Sequence, residues 1–162
     1  GTTSSSFACD LKKWLSITET YEGGGHAYHA TMPTDALAQF HATMKETEAY
    51  GFDKISAEQQ ELGDKVRAML ERNGFKSVAA DGFKAPSVVV SYTDAVDIHD
   101  GSSFAAEGLQ IAAGVPLECD ESDDFRTFRL GLFGLDKLQN IDRSVASLEG
   151  ALGKILAETN VR

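Results

Sequence analysis

The stretch Phe125-Arg126-Thr127-Phe128-Arg129-Leu130-Gly131-Leu132-Phe133-Gly134 alternates apolar side chains with an arginine and glycines. In a β-strand, successive side chains point to opposite faces, so Phe128 and Leu130 share one face and Arg129 lies on the other. Gly131 has no side chain and leaves open space next to Arg129. A guanidinium in such a place is suited to bind a carboxylate through two parallel hydrogen bonds. The alternative is a solvated arginine, which this stretch alone favours because most arginines are exposed.

The composition is that of one ordinary globular domain. The 162 residues are 42% hydrophobic and 25% charged, within the usual range for such domains. No apolar run approaches the roughly 20 residues that cross a bilayer, and the N-terminus lacks the features of a signal peptide. The net charge of −10 argues against nucleic acid or an anionic membrane as a partner. Cys9 and Cys119 have no CxxC spacing and fit a reducing cytosol, so we expect a cytoplasmic protein.

Four segments carry apolar residues at the three- and four-residue spacing of an amphipathic helix. Asp10 stands in the N-cap position of the first. The capping-box pattern Ser56-Ala57-Glu58-Gln59 predicts the start of the third. In the last, apolar residues repeat from Ile141 to Ile155 with spacing 4-3-4-3. The predicted helices cover residues 10–22, 34–50, 56–72 and 141–155.

The segments between these helices predict a small sheet. Residues 75–79 and 86–93 have the β-branched and aromatic content of strands, and the arginine stretch supplies a further strand. Residues 94–101 are polar and predict a loop, 102–110 a short helix, and 111–116 a strand or a turn. Strands and helices do not alternate strictly. The sequence therefore predicts an α+β fold, with a small sheet covered by helices on one face.

A glycine-rich loop at Gly23–Pro33 holds further candidate site residues. His26 and His29 form an H-x-x-H pair, but no third ligand is close in sequence, so we expect no metal. Tyr28 and Thr31 offer hydroxyl groups just before a predicted helix N-terminus, an arrangement that suits a phosphate. The alternative is that Thr31 only caps the helix, and the loop alone favours that alternative.

Four motifs occur in a specific order along the chain. They are Phe7-Ala8-Cys9-Asp10-Leu11-Lys12-Lys13-Trp14-Leu15, Tyr28-His29-Ala30-Thr31-Met32-Pro33, Phe128-Arg129-Leu130-Gly131-Leu132-Phe133-Gly134 and Asn140-Ile141-Asp142-Arg143. This order resembles the C-terminal part of the class V aminotransferases, in particular the branch that uses alanine or serine with glyoxylate or pyruvate. The resemblance extends over nearly the whole chain.

The resemblance implies a fold-type I enzyme that depends on pyridoxal 5'-phosphate and works as a homodimer on an amino acid and a 2-oxo acid. Arg129 matches the arginine that binds the substrate α-carboxylate. Tyr28 and Thr31 match residues that reach across the dimer interface to the cofactor phosphate. By the same resemblance, residues 1–33 correspond to the end of the large domain, and residues 34–162 to the C-terminal small domain.

The resemblance also implies that several catalytic groups lie upstream of this sequence. These are the lysine that carries the cofactor covalently, the aspartate that holds the pyridinium nitrogen and most of the phosphate site. Lys12 and Lys13 come after that lysine's place and are interpreted as exposed helix residues. We therefore expect a C-terminal fragment with no catalytic residue of its own, no covalently bound cofactor and no activity alone. A stand-alone α+β binding module is the alternative, and an upstream extension of the reading frame would distinguish the two.

Overall fold

The computed structural model describes residues 4–118 and 120–159. Two compact units make up the chain, Gly1–Lys45 and Glu46–Arg162, called unit 1 and unit 2 below. Helix α2 begins in the first unit and ends in the second. The domain boundary after residue 33, drawn from the sequence, stays a prediction. No helix in the described ranges is both long enough and apolar enough to traverse a bilayer.

Unit 1 contains helix α1, Leu11–Glu22, and most of helix α2, Thr34–Tyr50. Asp10 caps α1 as predicted, because its carboxylate accepts a hydrogen bond from the backbone N–H of Lys13 at 3.1 Å. Such a side chain satisfies one of the backbone donors that a helix leaves free at its N-terminus. The glycine-rich loop begins directly after α1, at Gly23.

The apolar face of α2 is exposed. The helix forms where its periodicity predicts it, yet it buries no residue in the part of the chain that the structure describes. Leu37, Phe40 and Met44 are 47%, 62% and 52% exposed. An amphipathic helix normally covers its apolar stripe against a neighbouring element, but these side chains of α2 are exposed.

Unit 2 is built on a three-stranded antiparallel sheet. Strands β1, Val88–Tyr92, and β2, Ala112–Ala113, flank β3, Thr127–Gly131, in the order β1-β3-β2. Burial alternates along β1 and β3, which shows that one face of the sheet packs on the core. The arginine stretch is thus the central strand, and the predicted α+β fold is confirmed.

Two long helices, α3 at Phe52–Arg72 and α7 at Ile141–Thr159, pack on each other, and α3 also packs on β1. Three short helices connect the other elements: α4 at Val96–His99, α5 at Ser102–Ala106 and α6 at Leu135–Leu138. Apolar side chains from both long helices, β1, β3 and the short helices form one buried core. Its most completely buried members are Leu62, Val66, Met69, Leu70, Val89, Phe104, Phe128 and Leu152.

Helix α3 begins four residues earlier than its capping-box pattern predicted. Gly51, with φ +102°, precedes the first residue, and its carbonyl accepts a hydrogen bond from Ile55 N–H at 2.9 Å. Ile55 also packs against the core. Ser56 is therefore inside the helix and caps nothing, because packing of the preceding turn outweighs the local capping preference.

Between α3 and α7, several boundaries differ from the predictions. Residues 75–79 form a single bridge, Ser77 to Ser91, instead of a strand. The predicted polar loop at 94–101 contains α4, because Ile98 is buried in the core. The next helix, predicted through Gln110, ends at Ala106.

Candidate functional site

Arg129 lies in the middle of the central strand. Its neighbours across the sheet are Val90 on β1 and Ala112 on β2, so no charged side chain stands opposite it in the ladder. Its side chain is half-buried, on the face of β3 opposite to the buried Phe128 and Leu130. The face predicted for Arg129 from strand alternation is therefore the observed one.

A backbone carbonyl holds the guanidinium of Arg129 in place. Its Nε donates a hydrogen bond to the carbonyl oxygen of Ala113 at 2.9 Å. Among the described residues, no carboxylate pairs with Arg129 and no other acceptor binds its Nη groups. The Nε–H group of the guanidinium is bonded and orients it, and the two Nη groups stay available for a ligand.

The space beside Arg129 is narrower than the sequence indicated. A Cβ on Gly131 would lie 3.4 Å from two ring carbons of Phe133. The Phe133 ring thus packs over the glycine and fills part of the expected gap. A ligand on Arg129 would therefore have an aromatic ring along one side, while Val90 and Ala112 are small enough to leave the middle of the sheet accessible.

The second pair of candidate residues lies in unit 1. Tyr28 Oη and Thr31 Oγ1 are 3.2 Å apart and share a hydrogen bond. Both side chains are exposed. The loop between α1 and α2 therefore brings these two hydroxyl groups together, as the phosphate hypothesis requires. Thr34 N–H bonds to the carbonyl of Met32 instead of to the Thr31 side chain.

Aromatic rings pack around His29, which lies between Tyr28 and Thr31 in the sequence. The His29 ring lies 4.2 Å from the Phe7 ring and 4.9 Å from the Trp14 ring, measured between centroids. Trp14 Nε1 in turn donates to the carbonyl oxygen of Ala8 at 2.9 Å. His29 is thus a packing residue, and no group of histidine, cysteine or acidic side chains within residues 4–118 and 120–159 is placed to hold a metal ion.

Two buried polar contacts were not predicted from the sequence. Arg67 on α3 is buried, and its Nη2 donates to the carbonyl oxygens of Ala85 and Val88 at 2.8 and 3.2 Å. Burial lowers the pKa of Arg67, against the opposing effect of Asp64 and Glu71. Because its bonds fix the start of β1, Arg67 helps to position the sheet.

His99, at the end of α4, makes the second unpredicted contact. Its Nδ1 lies 2.7 Å from the carbonyl oxygen of Thr127 on β3. A Cβ on Gly114 would collide with that same carbonyl, so a glycine is required where the chain leaves β2. The contact ties α4 to the strand that carries Arg129. In the sequence, the one indication of this contact is that His99 directly follows the apolar Ile98.

No protein-family model matches the sequence, and no curated protein does either. Solved structures do match. Alanine–glyoxylate aminotransferase from Nostoc sp. superposes with a TM-score of 0.67 at 15% identity. Ureidoglycine–glyoxylate aminotransferase from Bacillus subtilis superposes with a TM-score of 0.64 at 21% identity.

This chain shares its fold with part of these aminotransferases. The superpositions cover 93% of the chain but only 39% and 38% of the two solved chains. The chain therefore spans about two fifths of their length. At these identities the similarity shows the fold alone, and the roles of Arg129, Tyr28 and Thr31 remain predictions.

Proposed function

We propose that this chain is the C-terminal portion of a class V aminotransferase that depends on pyridoxal phosphate. The enzyme would exchange an amino group between an amino acid, alanine or serine, and a 2-oxo acid, glyoxylate or pyruvate. The observation that carries the proposal is Arg129. Its guanidinium, with Nε bonded to Ala113 and both Nη groups available, lies on the central strand of a fold that solved aminotransferases share.

Arg129 would bind the carboxylate that amino acids and 2-oxo acids have in common. The bond from its Nε to Ala113 fixes the guanidinium, so less side-chain freedom is lost when a ligand binds. Its two Nη groups would then donate in parallel to the two carboxylate oxygens. The apolar neighbours Val90 and Ala112 leave the substrate without a competing cation or anion on the sheet.

The hydroxyl pair of unit 1 fits the phosphate of the cofactor. Tyr28 and Thr31 are exposed, and their oxygens are 3.2 Å apart, so both can contact one phosphate group. When bound, pyridoxal phosphate supplies the electron sink for the transfer of the amino group. Lys12 and Lys13 are exposed on α1, whereas a lysine that carries the cofactor must be desolvated and positioned. The carrier lysine would therefore come from outside this sequence.

The enzyme would be a homodimer in which Tyr28 and Thr31 serve the cofactor of the other subunit. The uncovered apolar face of α2 supports this assembly, since Leu37, Phe40 and Met44 need a partner surface. The amino acid and the 2-oxo acid would be the small-molecule partners.

The decisive experiment uses the whole reading frame that contains this sequence. We expect its product to transfer the amino group of alanine or serine to glyoxylate or pyruvate when pyridoxal phosphate is present. Borohydride reduction and peptide mapping should locate one labelled lysine outside residues 1–162. A product without cofactor binding, together with a reading frame that carries no such lysine, would instead support a stand-alone binding module.

A further inference from the structure

A cavity of about 380 Å³ lies in unit 2, on the helix-covered side of the sheet. Its apolar wall includes Leu62 and Val66 of α3, Leu130 of β3 and Leu148 of α7. Ligand sites for small molecules typically have this size and this mainly apolar lining. Leu130 and Arg129 point to opposite faces of β3, so the cavity is separate from the proposed carboxylate site.

The polar part of the cavity includes three exposed side chains. Arg143 and Ser147 lie one turn apart on α7, where residues four apart are neighbours, and Gln110 faces them from the segment before β2. Within the described ranges, no hydrogen bond or ion pair engages the side chain of any of the three.

Other polar side chains at the cavity contact groups within the chain. Lys137 Nζ donates to the carbonyl oxygen of Phe133 at 2.8 Å and lies 3.5 Å from Asp136 Oδ2. Ser144 Oγ donates to the carbonyl oxygens of Lys137 and Asn140. Lys137 is thus held by two contacts, whereas the guanidinium of Arg143 has no hydrogen bond or ion pair among the described residues and is the better placed of the two cations to bind an anion.

We infer that this cavity binds an amphipathic monocarboxylate. The apolar chain of the ligand contacts Leu62, Val66 and Leu148, and its carboxylate accepts hydrogen bonds from Arg143. Ser147 and Gln110 add neutral donors. A single negative charge fits better than a phosphate monoester, because the charged side chains that line the cavity, Arg143, Lys137 and Asp136, sum to one positive charge. This inference does not depend on the proposed transaminase activity.

The test measures binding of three eight-carbon probes to the 162-residue chain by calorimetry. Octanoate, 1-octanol and octylammonium share the apolar chain and differ in charge. We expect octanoate to bind at least about tenfold more tightly than octanol, as a charge-assisted hydrogen bond predicts. Octylammonium should bind most weakly. Octylammonium binding as tightly as octanoate would overturn the inference, since the cavity would then select only the apolar chain.

Two substitutions locate the binding. Arg143→Gln should lower the affinity for octanoate to that for octanol and leave octanol binding unchanged. Arg126→Gln is the matched control, because Arg126 lies outside the cavity and its loss should change neither affinity. If Arg143→Gln binds octanoate as tightly as the unmodified chain, the carboxylate is bound elsewhere and the inference is wrong.

A cavity-filling substitution tests the apolar wall. Leu148→Phe enlarges a half-buried side chain at the cavity, and should weaken octanoate and octanol binding alike by about tenfold or more, since it removes volume that the chain needs. Ser147→Leu provides the same test from the rim if Leu148→Phe does not fold. Unchanged binding in a folded variant would place the ligand outside the cavity, for example on the exposed face of α2.

Discussion

Arg129 is the residue on which the proposed substrate binding depends most directly. Its tether to Ala113 distinguishes it from a mobile surface arginine, because the planar group keeps one orientation before a ligand arrives. An ammonium group has no such fork and binds as a point charge. The proposed role therefore requires an arginine and not simply a positive charge.

In the full-length enzyme, we expect Arg129→Ala to lower kcat/KM for an α-amino acid by roughly a hundredfold or more. Two charged hydrogen bonds of about 1.5 kcal/mol each give a loss of about 3 kcal/mol. Arg129→Lys should recover only part of this loss. The assay compares kcat/KM at constant cofactor occupancy, and Arg126→Ala serves as the control from the same sequence stretch. Near-normal kcat/KM in Arg129→Ala would identify Arg129 as a simple strand residue.

At this scale, the sequence predicts the position of Arg129 but not its contacts. Strand alternation places the arginine opposite Leu130 from the residue types alone. The bond to Ala113 depends on a pairing with β2, a strand of two alanines that carries almost no local signal. Arg67 was missed for a related reason: its acceptors lie 18 and 21 residues away along the chain, beyond any pattern within one helix.

At the scale of elements, α3 packs so closely on the segment before β1 that position 63 must be a glycine. A Cβ there would lie 2.6 Å from the carbonyl oxygen of Pro86 and 2.9 Å from its Cα. Those are backbone atoms, which cannot move away as a flexible side chain can. Gly63 is therefore required by the distance between two elements and not by its own backbone conformation.

We expect Gly63→Ala to lower the free energy of unfolding by about 1–3 kcal/mol, the usual cost of overpacking a core. Gly150→Ala is the matched control, because Gly150 is also inside a helix but has no atom near its Cβ position. It should raise the free energy of unfolding by about 0.4–1 kcal/mol. Urea denaturation of both variants tests the pair, and equal shifts would show that Pro86 can move away from α3.

The two central leucines of α7 should differ in their contribution to stability. Leu152 is fully buried, whereas Leu148 is half-buried and borders the cavity. We expect Leu152→Ala to lower the free energy of unfolding by about 2–5 kcal/mol and Leu148→Ala by about 1 kcal/mol, because less buried contact is lost. Thermal and urea denaturation measure both values. A larger loss for Leu148→Ala would reverse the assignment of the buried face.

Elements with a strong period were predictable, and elements that depend on distant partners were not. In α7, apolar residues recur every three or four positions from Ile141 to Ile155, and this spacing indicates which face of the helix is buried. The capping box at Ser56 misplaced the start of α3, because the deciding contact is the packing of Ile55 on the core. Residues 75–79 have strand-like composition, but they pair with β1 only around Ser77.

At the scale of the whole molecule, unit 1 and α2 expose apolar side chains that a folded protein normally buries. Apart from the α2 stripe, Leu11, Leu15 and Met32 are also exposed. Exposed apolar side chains of this size commonly mark an interaction surface. Unit 2 has its own buried core, and none of these three residues belongs to it. Their exposure is consistent with a protein that completes its folded state by association, as the homodimer proposal requires.

We expect the 162-residue chain to self-associate through the α2 stripe, and Phe40→Asp to shift it toward the monomer. An aspartate at this position would have to be desolvated in the interface, which opposes association. Phe83→Asp is the matched control, because Phe83 is 83% exposed but lies in a loop outside the stripe. Sedimentation velocity over a range of concentrations measures the distribution, and circular dichroism verifies that the helices persist. If Phe40→Asp and the unmodified chain sediment alike while both are folded, the stripe is not the interface, and the dimer proposal loses its structural support.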